Sequence, residues 1–264
     1  MFSTQLSNFP FLSSMNPLDQ FEIRDLISVN SSLLENMQFS LTNIAMYLIV
    51  STIISFYFHI FTDNNLKLLS SKWSVSTETI YDTVNNIVVN QINKAKGQRY
   101  FPFMYVLFIF ILVNNLIGLT PYSFASTSHF ILTFSLSFSI VLGATILGLQ
   151  IHTWKFFSLF VPAGCPLALL PLLVLIEFIS YLARNVSLGL RLAANILSGH
   201  MLLNILSGFT YNIMTSNFIY FIIGLLPLTF IIAFAGLELA IAFIQAQVFV
   251  VLSSSYIKDA LDLH

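Results

Sequence analysis

The run LGLRLAANILSGH, residues 188–200, sets Arg191 in the middle of a long apolar stretch. Lys or Arg at the centre of a membrane helix costs roughly 3 kcal/mol on insertion scales. A charge kept at that cost faces something other than lipid, such as a wet cleft or a charged partner. Composition says whether the rest of the chain belongs in a membrane. Of 264 residues, 57% are hydrophobic and 8% charged. A soluble domain carries about 25% charged residues. So few charges cannot cover a water-facing surface, and the chain reads as an integral membrane protein.

Other classes fall away on the same figures. The net charge of -1 leaves no basic footprint for nucleic acid. The single cysteine, Cys165, rules out an internal disulfide and a multi-Cys metal site. Neither a metal nor a cofactor is expected. No GxxxxGK[ST] occurs, so the chain has no nucleotide site of its own and is expected to be non-catalytic. Richness in Phe, Ile, Leu, Ser and Asn fits an AT-rich coding genome. Residues 1–18 carry no charged side chain, which excludes a basic secretory n-region and an Arg-rich transit peptide. Two readings stand for the first 15 or so residues: a short removed leader, or a plain tail.

Charge gaps divide the remainder. No Asp, Glu, Lys or Arg lies between Glu35 and Asp63, which gives one span over roughly 41–61. The most polar part follows, 62–99. Within it Ile80, Val84 and Ile87, with Tyr81, Val88 and Ile92, keep helical spacing. That predicts an amphipathic helix over 74–93, lying at the interface rather than spanning. Its basic end, Lys94 to Arg99, marks the cytoplasm-like side, the matrix in a mitochondrion. Tyr100 to Trp154 is free of formal charge. GLTPYS interrupts it, so a hairpin of about 101–119 and 127–151 is expected.

Two long segments close the chain, about 168–206 and 216–257. Each approaches ~60 Å as helix, against a hydrocarbon core of ~30 Å. Either each is broken or both are strongly inclined; two inclined helices with a turn near 207–215 are favoured. The fold expected is an all-α integral membrane protein. It has one N-terminal span, an interfacial amphipathic helix, a helical hairpin, and two long steeply tilted helices packed as a hairpin. Residues 1–40 form an N-terminal segment and 41–264 a single membrane domain, without solenoid repeats or a soluble domain.

Between Phe156 and Ile257 the formal charges are Glu177, Arg184, Arg191 and Glu238, and His200 can titrate. Ionisable residues inside a bundle mark functional sites by default. Glu177, Arg184 and Arg191 recur every seven residues and share a helix face, extended by Asn195 and Ser198. His200 lies nine beyond Arg191, on roughly the opposite side. On the next segment Glu238, Gln245 and Asp259 stand seven and fourteen apart, again near one face. Pair the two helices antiparallel with Arg191 beside Gln245. Glu238 then falls ~10 Å from Gln245, on the side where His200 falls ~13 Å from Arg191. Asp259 falls ~21 Å the other way, the same offset as Glu177. One register thus yields an acid–base pair at one end, an acid pair at the other, and the arginine between. Carboxylates and histidine can pass protons in a wet cleft. Arginine stays protonated and blocks a proton wire. The pattern suggests two half-channels separated by a barrier, useful only if a partner's carboxylate moves past the arginine.

Three stretches resemble one family. SLGLRLAANILSGH (187–200) resembles the arginine motif of subunit a of the F-type ATP synthase. ELAIAFIQAQVFVVL (238–252) resembles its last helix, and NNLIGLTPYSF (114–124) its earlier hairpin. The resemblance covers most of the chain past residue 40, in the right order. It implies a proton-conducting stator subunit of the membrane sector, with Arg191 facing the carboxylate of a rotating c-ring. Asn195 and Gln245 would be its polar neighbours. Glu238 and His200 would line the half-channel from the intermembrane space, and Glu177 with Asp259 the one to the matrix. Asn115 matches a less certain channel position. His at 200 with Glu at 238 looks mitochondrial, many bacterial members carrying the reverse order. NPLDQFEIRDL (16–26) looks like the start of a mature fungal chain. The implied setting is the mitochondrial inner membrane. The implied partners are the c-ring, the peripheral-stalk subunit b, other membrane-sector subunits and lipid.

Plainer readings stand beside these. Glu177, ~21 Å from Arg191, is too far to hold it as a structural partner. Arg184 reads either as functional or as a snorkelling side chain paired with lipid. Asn114 and Asn115 read as helix-packing glue, and Asp259 as a solvated terminal charge. His59, His129 and His152 stand near span ends. The alternative function is a secondary transporter or stand-alone proton channel, with Arg191 binding an anion. Transporters often show paired halves with corresponding broken helices, and no such pairing occurs here. A purely structural subunit would not need the aligned charges.

Overall fold

The computed structural model describes residues 19–30, 38–62, 72–92, 94–120, 123–161, 169–216 and 218–261. The expected leader and Cys165 lie outside them. A two-stranded antiparallel hairpin comes first, β1 (Asp25–Asn30) with β2 (Gln38–Thr42). Sequence spacing gave no sign of it. Helix α1 (Asn43–Thr62) is apolar all round and buries only Ser51. A helix of that kind with open faces belongs in lipid.

Helix α2 (Lys72–Ile92) is the amphipathic element. Val84, Val88 and Ile92, four residues apart, are buried, while Glu78 and Asp82 stay exposed. It packs along α3 and α6. Among the described residues five helices are long and apolar enough to cross a membrane, and α2 is not one of them. Helix α3 (Lys94–Gly118) is the most enclosed span, with Met104, Phe108, Ile111 and Asn115 fully buried. The link to α4 holds a 3-10 turn, Ser126–Ser128, whose three side chains are buried. Helix α4 (Phe130–His152) ends at Thr153, whose φ of 52° turns the chain into another 3-10 stretch, Thr153–Phe160.

Helices α5 (Leu170–Ser216) and α6 (Phe218–Leu261) contain 47 and 44 residues. At 1.5 Å per residue they measure about 70 and 66 Å. Against a core of ~30 Å, such lengths require steep inclination or extension well past the hydrocarbon. Neither helix is broken, although Pro227 lies inside α6. The residues 207–215, where the sequence suggests a turn, are helical and extend α5 to Ser216. Their hydroxyls find acceptors inside the helix. Ser207 donates to the Asn204 carbonyl, Thr210 to Ser207, and Thr215 to Tyr211. Back-bonding of this kind hides polar side chains within the helix.

One apolar cluster joins α2, α3, α4, α5 and α6 through Val88, Phe108, Ile140, Leu188, Leu192, Phe249 and Val250. Polar ties add direction. Ser137 of α4 donates to the Asn185 carbonyl and side-chain oxygen at 2.7 and 2.6 Å. His152 of α4 meets the Leu261 carbonyl of α6 at 3.1 Å. Gly189 lets α4 come close: a Cβ there would stand 3.2 Å from the Thr133 carbonyl. Arg191 is two residues on, about 200° round the helix, and so faces away from α4.

Candidate functional site

Two contacts establish how α5 and α6 pair. His200 Nε2 lies 3.7 Å from Glu238 Oε1. Some 16 residues back along α5, Arg184 Nη1 lies 3.8 Å from Asp259 Oδ2. As numbers fall on α5 they rise on α6, so the helices run antiparallel. Spacing along the sequence predicts His200 with Glu238 and Glu177 with Asp259; it does not place Arg184 at the second group.

The first group is enclosed. The Glu238 side chain is 5% exposed and that of His200 16%. His200 Nε2 and both Glu238 carboxylate oxygens have no hydrogen-bond partner among the described residues. Buried polar groups left unpaired are costly. Gly199 makes room for it. A Cβ at 199 would stand 2.7 Å from Glu238 Oε1 and 2.9 Å from Cδ. Gly199→Ala is therefore expected to push the Glu238 carboxyl off His200 with little loss of fold, because only the tip of a flexible side chain must move. The unfolding temperature of the purified protein should stay nearly the same, which checks this.

Further buried polar groups come from α3 and the turn that follows it. Asn115 Nδ2 donates to the Ala242 carbonyl of α6 at 3.3 Å, the packing role that its sequence position suggests. Its Oδ1 is buried without a partner among the described residues. Ser126 donates to Asn114 Oδ1 at 3.1 Å, and Asn114 donates to the Phe110 carbonyl. His129 stacks on Phe124 at the head of α4, and burial pushes its imidazole below the usual range.

The second group is more open. Arg184 bridges the two acids, Nη2 lying 3.1 Å from Glu177 Oε1 and Nη1 3.8 Å from Asp259 Oδ2. The three side chains are 46, 40 and 33% exposed. Arg184 thus pairs with protein side chains on both α5 and α6. Tyr256, 5% exposed, lies in the field of Arg184, Arg191 and Asp259. Tyr181 lies in that of Tyr256, Asp259 and Arg184. The sequence reading passed over both tyrosines because it followed formal charges. Spacing could have found Tyr256, three residues before Asp259 on the same face. Arg184→Ala is expected to cost at most about 1 kcal/mol of stability, since exposed pairs are weak. Thermal unfolding of the purified complex checks this.

Arg191 stands between the groups. It makes no ion pair or hydrogen bond among the described residues. Its side chain is exposed in a shallow groove on the open face of α5, lined by Ala183, Val186, Ser187, Leu190 and Ala194. Asn195 is half-buried beside that face, and Gln245 is 8% exposed within the α5–α6 packing. Gln245 lies on α6 between Glu238 and Asp259, as Arg191 lies on α5 between His200 and Arg184. No cluster of three or more metal-ligating side chains occurs among the described residues.

Fold and site together define a multi-pass membrane protein whose buried and half-buried charges gather on its last helical hairpin. The profile of the ATP synthase A chain family matches residues 44–258. The chain is 72% identical over 256 residues to ATP synthase subunit a of Cochliobolus heterostrophus, covering 97% of this chain and 100% of that one. It is 74% identical over 250 residues to subunit a of Penicillium chrysogenum, covering 95% and 97%. Against subunit a of Saccharomyces cerevisiae it is 48% identical over 249 residues, covering 94% and 96%. The chain belongs to the ATP synthase A chain family, the subunit a of the membrane sector that serves proton transport in ATP synthesis.

Proposed function

We propose that this chain is the proton-conducting stator subunit of a rotary ATP synthase, working in a mitochondrial inner membrane against a ring of c subunits. Protons reach the ring through a half-channel at His200 and Glu238, from the intermembrane space. They leave on the matrix side through one lined by Glu177 and Asp259, with Arg184 bridging these acids. Arg191 is the barrier between the two. Asn195 and Gln245 supply polar surroundings to the guanidinium, and Asn115 backs the first half-channel. The nucleotide chemistry belongs to other subunits. Subunit b of the peripheral stalk and further membrane-sector subunits hold the chain in place.

The observation that carries this reading is the place of Arg191. Its cation is presented on an open face where Ala183, Ser187 and Ala194 stand beside Val186 and Leu190, between two titratable groups on opposite sides. Small side chains let a neighbouring helix come near. A cation on such a face suits a carboxylate carried by that helix. The carboxylate takes a proton on the His200 side, crosses lipid neutral, and gives it up on the other side. Beside Arg191 the ionised form is favoured, so no proton passes straight between the half-channels. Purification in mild detergent tests this. The chain should travel with a ring of hairpin subunits, each bearing a membrane carboxylate. A chain that purifies without a ring, yet still moves protons or an anionic solute in vesicles, is a transporter or channel.

A further inference from the structure

We propose that Phe21, in the N-terminal 3-10 turn Asp19–Phe21, is a positioning residue for His200. The proposal rests on the placing of His200 in the proton path above. The rings of Phe21 and His200 meet edge to face, centroids 6.3 Å apart at 80°. Nε2 has no hydrogen-bond partner among the described residues. Its 3.7 Å separation from Glu238 Oε1 exceeds hydrogen-bond reach. Toward α3 it meets Gly118, which has no side chain; a Cβ there would stand 3.8 Å from Nε2. The orientation of this ring toward Glu238 therefore depends on packing, and Phe21 is the aromatic group packed against it.

Phe21 is itself held. It is half-buried. Three residues on, the Arg24 carbonyl accepts from the Asn43 backbone N–H at the head of α1, at 3.1 Å. The β1–β2 pairing then joins Asp25 to Thr42 and Asn30 to Gln38. The hairpin thus ties the turn to the first span, and the turn sets its one aromatic ring on His200. A purely anchoring segment would not need that ring. Without the edge contact the imidazole can swing off Glu238, and proton transfer then waits for its return.

A double-mutant cycle on the intact complex tests the idea, with ATP-driven proton uptake in vesicles as the readout. Phe21→Ala should slow uptake about two- to tenfold, the span to which the coupling of an aromatic pair converts. Phe21→Trp should restore most of the rate. In a His200→Ala background, Phe21→Ala should change nothing further, because it acts through that ring. Modification of His200 by diethyl pyrocarbonate, followed by peptide mass spectrometry, should run faster in Phe21→Ala. If Phe21→Ala fails to assemble, Phe21→Leu carries the same expectations with most of the volume kept. An unchanged rate overturns the proposal, as does a Phe21 effect that persists in full beside His200→Ala. A full rate in His200→Ala alone overturns instead the reading of His200 on which the proposal stands.

Discussion

Arg191→Ala is expected to abolish ATP-coupled proton uptake into vesicles, to the background of a complex with an inhibited ring. Two effects combine. The cation favours the ionised form of a carboxylate standing beside it. At ~4 Å and an effective dielectric constant of ~20, that attraction is about 4 kcal/mol, or roughly a thousandfold in the ionisation equilibrium. Without it the ring carboxylate keeps its proton past the exit and delivers nothing. The same cation blocks the direct route between His200–Glu238 and the Glu177–Asp259 end, so the variant should also leak once the catalytic sector is stripped off. Arg191→Lys keeps the charge but loses the planar fork, and is expected to remain severely slowed. The side chain makes no ion pair among the described residues and sits on an exposed face, so the complex should still assemble. Normal coupled pumping in vesicles carrying Arg191→Ala would falsify the barrier role.

Glu238→Gln and His200→Ala should each slow both synthesis and pumping by roughly 100-fold, the low end of what a positioned proton-transfer group supplies. Assembly should stay intact. Glutamine keeps the shape of the glutamate that fits against Gly199 and loses the ability to ionise and pass a proton. The carboxylate oxygens have no hydrogen-bond partner among the described residues to lose. His200→Ala removes one partner of a 3.7 Å contact that is too long to hold the helices together. Loss of the assembled complex in either variant, seen on native gels, would make the pair structural.

Much of this was legible in the chain because membranes make charge expensive. The gaps between Glu35 and Asp63 and between Tyr100 and Trp154 locate α1 and α4 to within a few residues, since a span cannot hold free charges; α3 starts seven residues before the 101 expected, because its charged first turn at Lys94 precedes the apolar run. Seven-residue spacing placed Glu177, Arg184 and Arg191 on one face, and antiparallel counting brought His200 to Glu238. Counting failed where uncharged atoms decide. Gly199 and Gly118 matter for the side chains they lack. Tyr256 carries no formal charge, so it does not stand out from a charge pattern. Residues 207–215 look like a turn by composition, yet their hydroxyls bond back to the helix.

By itself, then, the sequence determined the membrane class, the number and order of helices, and the stripe holding the arginine, because burial cost and helical period act along the chain. Tertiary structure decided which face of α5 stays open. Gly189 brings α4 onto one side of that helix and leaves Arg191 on the other. It also put Arg184 between Glu177 and Asp259, and set Phe21 on His200 across some 180 residues of chain. Such contacts follow from how helices and turns pack in three dimensions, which no spacing along one helix encodes.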